Sequence, residues 1–540
     1  MIDNLGALIL DRATEAEDIR RLRDDVLQRI SEFVLPNRGD FTIKRAKGSR
    51  TDRNVFDTTG VHANRTLAAA LGTMLTPLDG KWLGLRPSQA ALEEVQGVKE
   101  YLATVEEILL GVFSSFEFGF PQQNDQIFID MPAYGTSCMF VEDNIDNGLT
   151  FQAIHLSEIF FMESAKGKPD IVFRKFKLTA RQAADKFGEE NLGHKVTAAL
   201  KKNPFTEFEF IHAVMPIADW KKLGRVPNVN KTDFRFPSAY VCVEDKKIVM
   251  EKGYHEMPYI ISRWSKYTGE VYGRGPGWDT LADIMMANKL KEITIRGAEK
   301  QIDPPLILSD DGVVTPLRTY PNGINIGAVT QDGKPLVQQL PVNGRIDLAE
   351  FLLKQTQESI RKGFFVDRFE EKDGTPISAT ESADRQDTRL RLSAPHIQRI
   401  QAEYLSQLVE RVFGILQRAG ELPEPPQELA GDNLKIEFVS PLVKAQRSQE
   451  ALSYSRAMEA SMGLIQMNPD LVRNIDMDDA FRDILEISGV PVKNIKSKDK
   501  VLAERQAEQE AQEQQQMLMQ AQETMGAVAD AKNKGLDIGI

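Results

Sequence analysis

The residues with the most chemical promise lie in the stretch GEVYGRGPGWDTLADIMMANKLKE, from Gly269 to Glu292. Gly273, Gly275 and Gly277 alternate there, directly ahead of a helical pattern. A glycine-rich turn that opens a helix can surround a phosphate with backbone N–H groups, so the first chemistry to test is nucleotide binding. A P-loop needs Gly-x-x-x-x-Gly-Lys-Ser/Thr, and no Lys-Ser/Thr pair follows these glycines, while Pro276 removes one donor. The dinucleotide fingerprint G-x-G-x-x-G fails as well. Trp278 holds its last position, and no hydrophobic parallel strand precedes the run. The pairs Gly80-Lys81, Gly167-Lys168 and Gly333-Lys334 fail the same test. The three glycines therefore read as a joint that aims the next helix.

Other reactive residue types are scattered. The six histidines (His62, His155, His194, His212, His255, His396) show no i,i+4 pair and no HExxH. Cys138, in YGTSCMFVED, has no nucleophile-elbow context and reads as a buried strand cysteine. The acids of DMDDAFRD (Asp476 to Asp483) lack the central glycine and terminal glutamate of a calcium loop and suit a helix N-terminus. No catalytic constellation, metal site or cofactor site emerges, and a non-enzyme is expected. The segment FFVDRFEEKD (364–373) is more open. Its aromatic and basic residues could touch nucleic acid, although acids outnumber Arg368 and Lys372; equally, it could be a surface loop with buried phenylalanines.

These residues must be positioned by a long chain. At 540 residues it can hold several cores, and 41% hydrophobic with 27% charged residues is the balance of an ordinary globular protein. No apolar run reaches eighteen residues, and the N-terminus has no basic region before its short apolar run, so neither a membrane span nor a secretory signal is expected. Two cysteines cannot make a disulfide framework and point to folding in a reducing cytoplasm. The net charge of −12 argues against tight phosphate binding.

Helical spacing of Ile19, Leu22, Val26, Ile30 and Val34 predicts a helix over 11–34, closed by Pro36. Further helices are expected at Val61–Leu75 and Leu92–Phe116. Short β-rich runs then begin near Gln126 and make a small sheet, with a short helix at TARQAADKFG and more strands at 206–216, 239–243 and 247–250. The first half is thus α+β. In the second half a helix from Thr280 to Gln301, about 33 Å long at ~1.5 Å per residue, starts at a capping-box spacing of Thr280 and Asp283. A Gly/Pro/Asp-rich β segment (306–344) follows, then a returning helix from Ile346 to Lys362: two helices flanking a β tip make a stalk. Ser378 and Glu381 cap a very long helix that runs to Ala419, with Pro395 expected to kink it. Helices near 448–466 and 477–487 and a polar, glutamine-rich helix close the chain.

This order of elements, with VFDTTGVHANRTLAAALGTMLTPLDGKWLGL (55–85), YGTSCMFVED (134–143), FRKFKLTARQAADKFG (173–188), YGRGPGWDTLADIMMANKL (272–290), ISATESADR (377–385) and SPLVKAQRSQEAL (440–452), resembles the portal proteins, or head-to-tail connectors, of short-tailed bacteriophages. The resemblance covers nearly the whole chain. It implies an α+β, mainly helical ring subunit, usually one of twelve, at a capsid vertex of the virion, assembled in the host cytoplasm around a channel for double-stranded DNA. Carried over, 1–265 is the wing, 266–302 the joint and first stem helix, 303–344 the clip and 345–362 the second stem helix. The tunnel loop is then 363–377, the long kinked wing helix 378–420, the C-terminal wing and crown 421–495, and the glutamine-rich tail 496–540. Partners so implied are the other ring subunits, the DNA, major capsid and scaffolding proteins, the terminase large subunit and a tail adaptor. Phe364, Phe365, Arg368, Phe369 and Lys372 become the candidates to meet DNA. Leu281, Ile284, Met285 and Ile293 become stem contacts between subunits, and Gly273, Gly275 and Gly277 the joint. Two competing readings are a ring-forming tail or scaffold protein with no DNA channel, and a nucleotide-dependent packaging enzyme; the missing P-loop weighs against the second.

Overall fold

The computed structural model describes residues 5–369 apart from 37, 44, 46–47, 50–52, 79, 90, 93–94, 145–147, 225, 228–233, 309–316, 327, 331 and 342–345, and beyond them 395–429, 434–438, 478, 481–482, 485 and 498–533. The chain forms two compact units, Met1–Trp82 with Leu109–Leu422, and Leu83–Ile108 with Pro423–Ile540. Both sheet and helix are well represented, as an α+β chain requires.

In the larger unit five antiparallel strands follow one another as neighbours: Ile159–Glu163, Pro169–Thr179, Glu207–Val214, Phe236–Cys242 and Lys247–Tyr254. Their side chains alternate between faces, as the two-residue period of a strand demands. Ile211, Ala213 and Val241 join Leu5, Ile9, Ala13 and Ala16 of the N-terminal helix in one core. Phe208, Phe210, Tyr240 and Cys242 enter a second core with Ala180, Ala183, Phe187 and Val196 of two short helices. The first of those helices, Ala180–Phe187, begins at a full capping box of Thr179 and Gln182. A three-stranded sheet has Thr136–Asn144 between Gly148–Ile154 and Tyr259–Arg263.

Several expectations need correction. The expected helix over 11–34 is two helices, Leu5–Arg21 and Asp24–Phe33, and Leu22 at the break is 90% exposed rather than on the buried face. The sheet does not begin near Gln126, because Phe120–Tyr134 is a helix bounded by Gly119 (φ 69°) and Gly135 (φ 77°), with Thr136 opening the strand. Thr280 and Asp283 form no capping box. A short helical turn, Pro276–Asp279, precedes the stalk helix Leu281–Ile302 and supplies carbonyl acceptors, so the Thr280 amide and hydroxyl both donate to the Pro276 carbonyl (2.9 and 2.7 Å). The Asp283 carboxylate instead accepts from Ser359 Oγ on the second stalk helix, Ile346–Gly363 (2.8 Å).

The stalk ends in a ribbon in which Leu306–Leu308 pairs antiparallel with Val337–Gln339. The long helix is described from 395, so the Ser378–Glu381 cap lies outside the described residues and Pro395 stands at the first described helical position. Its irregularity is a π-helical turn at Gln401–Leu405, after which Ser406–Ala419 runs to Gly420 (φ 77°). In the smaller unit Leu83–Pro87 pairs antiparallel with Leu434–Phe438, and the Leu85 amide donates to Glu106 Oε1 (2.6 Å). The glutamine-rich stretch is a 36-residue helix, Lys498–Asn533. The expected helix at 448–466 lies outside the described residues.

Candidate functional site

The glycine run is packed backbone against backbone. A Cβ on Gly273 would collide with the Gly135 carbonyl, one on Gly275 with the Pro132 carbonyl, and one on Gly277 would lie 2.6 Å from the Ala133 carbonyl. All three contacts fall at the end of helix Phe120–Tyr134, so the glycines are needed for close approach. The Gly273 amide donates to Thr136 Oγ1 (2.9 Å). Protein atoms thus occupy the space a phosphate would need, and the run directs the chain into Leu281–Ile302.

Just before it, Arg263 forms a hub that the sequence did not announce. It is 2% exposed. Its Nε and Nη2 donate to the two carboxylate oxygens of Glu403 (3.0 and 2.9 Å), its amide donates to the same group (3.1 Å), and Nη1 pairs with Glu163. The remaining donors reach the carbonyls of Val271 (3.2 Å) and Gly167 (3.1 Å), so the buried guanidinium is well supplied with acceptors. Glu403 sits in the π-helical turn, and its neighbour Tyr404 donates to Asn124 Oδ1 (2.7 Å). The hub therefore fixes the long helix to the sheet. No local pattern could reveal it, since Arg263 and Glu403 are far apart in sequence.

The stalk root is fixed by two more residues that sequence reasoning missed. The Asn288 carboxamide accepts from the amides of Phe56 (2.6 Å) and Asp57 (3.1 Å) and donates to the Asn54 carbonyl (2.9 Å). Asp57 accepts from the Thr59 amide (3.0 Å), at the start of helix Thr59–Leu75, and from Gln357 Nε2 of the second stalk helix (2.6 Å). An Asp just ahead of a helix, as in FDTTG, is the one available signal.

The structure separates the residues expected to meet DNA. Phe364 is fully buried, so its assignment to a DNA-facing surface is corrected: its ring serves the core. Phe365 is half-buried with φ 59°, stacked beside Trp264, which itself stacks on His396 (centroids 4.7 Å apart). Both phenylalanines thus wedge the end of the stalk into the body. Arg368 and Phe369 belong to a short helical turn, Val366–Phe369, and their side chains are not among the described ones; Lys372 lies outside the described residues.

The expected stem contacts also divide. Ile284 is buried within its own chain, where a Cβ on Gly60 would lie 3.0 Å from its Cδ1, so it is not free to meet a neighbour. Leu281 and Met285 are half-buried, whereas Ile293 is half exposed. Met286, Ile295 and Ile302 on the first helix and Leu348 and Phe351 on the second are exposed as well. So are Leu306, Ile307, Leu308, Tyr320, Ile324 and Ile326 at the tip. About half of the exposed large hydrophobic side chains among the described residues lie on this stalk and tip. An apolar surface so concentrated marks an interaction site.

A two-helix stalk that cannot cover its own apolar surface, rooted by a hydrogen-bonded joint in an α+β body, defines a subunit built for assembly. The family model for the bacteriophage head to tail connecting protein matches residues 7–495, and the chain belongs to that family. It is 26% identical over 522 residues to the "Probable portal protein" of Bordetella phage BPP-1, covering 94% of this chain and 93% of the relative. It is 26% identical over 518 residues to the "Portal protein" of Salmonella phage epsilon15, covering 92% and 90%. Among the described residues no helix is long and apolar enough to cross a membrane.

Proposed function

We propose that the chain is a portal subunit. Copies of it close into a ring, usually of twelve, at one vertex of a phage head, and double-stranded DNA passes through the central channel during packaging and ejection. The observation that carries this reading is the stalk: in a member of the connector family, its Met286, Ile293, Ile295, Leu348 and Phe351 stand exposed among the described residues. Repeated head-to-tail contacts would supply cover and generate a ring.

On this reading 281–302 and 346–363 are the stem, and the ribbon tip is the clip that meets the terminase large subunit and then a tail adaptor. The body and the C-terminal unit form wing and crown, against major capsid and scaffolding proteins. Gly273, Gly275 and Gly277 are the joint, and Arg368, Phe369 and Lys372 remain the loop residues proposed to touch DNA. A net charge of −12 suits DNA that must slide, because tight phosphate binding would stall it. The role requires no catalysis by this chain.

The test uses heads assembled with the Arg368→Ala/Lys372→Ala chain or with the parent. Heads with the parent should fill with DNA. The double variant should assemble but show packaging whose salt dependence is altered, since such contacts are screened. Heads that fill and retain genomes normally without this protein would refute the portal role.

A further inference from the structure

The two stalk helices are registered against each other by two separate contacts. Asp283 meets Ser359 (2.8 Å) near the root, and a Cβ on Gly297 would lie 3.8 Å from Ile346 near the tip. The two contacts agree within one residue on an antiparallel register, which places Ile293 level with Ala349 and Glu350, next to Phe351, and Arg296 level with Ile346 and Asp347. Residues that recur three and four positions apart share a helix face. On the first helix Met286, Lys289, Ile293, Arg296 and Lys300 do so, and all are exposed. On the second helix Asp347, Phe351, Lys354 and Glu358 do so, and all are exposed too.

The sides the helices turn to their own chain are different: Ile284 and Ala287 on the first, Leu353, Thr356 and Ile360 on the second. Helical geometry puts each exposed face roughly opposite its buried one. Asp283 and Gly297 mark the side of the first helix that meets the second, so neither exposed face is covered by the other helix, and the two form separate flanks of the stalk.

We infer that these flanks are complementary halves of one interface, and that the Ile293 flank of one copy packs on the Phe351 flank of the next. This inference rests on the ring reading above and specifies its contact. In a closed ring every residue keeps its height along the axis, so flanks of neighbouring copies meet level with level. Ile293 then lies within two residues, about 3 Å along the helix, of Phe351 as the apolar centre, and Arg296, which pairs with Glu292 in its own chain (2.6 Å), faces Asp347 at the next turn toward the tip. Lys289 and Lys354 also share a level. Lys289 is already paired with Glu292 (2.9 Å), and Lys354 has Glu350 and Glu358 one turn to either side, so carboxylates balance that level. Each copy carries both flanks, so repeated head-to-tail contact can join the Ile293 flank of one copy to the Phe351 flank of the next and close a ring.

Cysteine crosslinking of the full-length protein tests the pairing, because Cys138 and Cys242 are both buried. Ile293→Cys/Phe351→Cys in one chain, treated with a short bis-maleimide, should give a ladder of covalent oligomers up to the full ring. Each single variant should give none. A second arm reverses charge: Arg296→Glu should lose the ring at moderate salt, and Arg296→Glu/Asp347→Arg should restore it. Rings that form normally while the double-cysteine chain gives no ladder overturn the pairing and leave the ring reading standing. Single-cysteine variants that crosslink to themselves also overturn it, by showing like-with-like contact. A parent protein that never leaves the monomer removes the ring reading and the pairing together.

Discussion

The body around Arg263 and the stalk beyond Gly277 solve opposite problems. In the body, several charged and polar groups are sunk among apolar side chains and answered inside the chain: Arg263 by Glu403 and Glu163, Arg38 by Asp130 through two 2.8 Å bonds, and His155 by Ser157 and Tyr134. In the stalk, only Ile284, Ala287 and Asn288 of the first helix and Leu353, Thr356 and Ile360 of the second are buried, while bulky apolar groups face outward. The body is complete as one copy. The stalk leaves those apolar groups uncovered among the described residues.

The sharpest way to break the body is at its hub. Arg263→Ala should leave Glu163 with Lys266 alone and Glu403 with Arg399 alone, a loss toward the lower end of the roughly 3–5 kcal/mol for a broken buried pair. Thermal unfolding should show a large drop in midpoint for the body, and an unchanged midpoint would mean the hub is incidental. The joint comes next. Gly277→Ala drives a methyl into the Ala133 backbone, an overpacking cost of about 1–3 kcal/mol. Denaturant unfolding measures it, with Gly111→Ala as the control, since nothing lies within 4 Å of a Cβ there.

Acid should act on the body with a definite sign. His155 is enclosed by Gly39, Phe41 and Tyr134, and burial, with the Arg38 and Arg20 charges, pushes its pKa from 6.5 down to about 3. Between those values the unfolded chain takes up a proton that the folded chain refuses, so stability falls as pH falls. The slope from this group is at most about 1.4 kcal/mol per pH unit. Unfolding midpoints of His155→Gln and the parent, compared from pH 7 to pH 4, should converge as the pH drops. A constant gap would contradict the neutral, enclosed imidazole.

Much of this contrast was legible in the sequence. The stalk helices, the β tip between them and most strands follow from period and breakers. The missing P-loop Lys argues against a phosphate cradle at the glycines, and their backbone packing against Gly135, Pro132 and Ala133 points the same way. What failed shares one cause, dependence on distant partners. Helix Phe120–Tyr134 contains Pro132 and the polar run QQND, which hide its pattern. Leu83–Pro87 finds its strand partner at Leu434–Phe438, and Arg263 finds Glu403, far along the chain. Apolar spacing on the stalk could not say which side faces its own chain, so Ile284 and Ile293 were grouped although Ile284 is buried and Ile293 is not.

The smallest effect on folding should come from the stalk, and it bears on the central claim. Phe351→Ser changes an exposed side chain, for which roughly ±0.5 kcal/mol is typical. Solution mass of the purified parent and of Ile293→Ser/Phe351→Ser, at micromolar concentration with unfolding midpoints measured alongside, tests that claim most directly. The parent should appear as one discrete multiple of the 60.6 kDa chain, and the double variant as a folded monomer with the parent's body midpoint. A parent that stays a stable, well-folded monomer at every salt concentration would contradict the account.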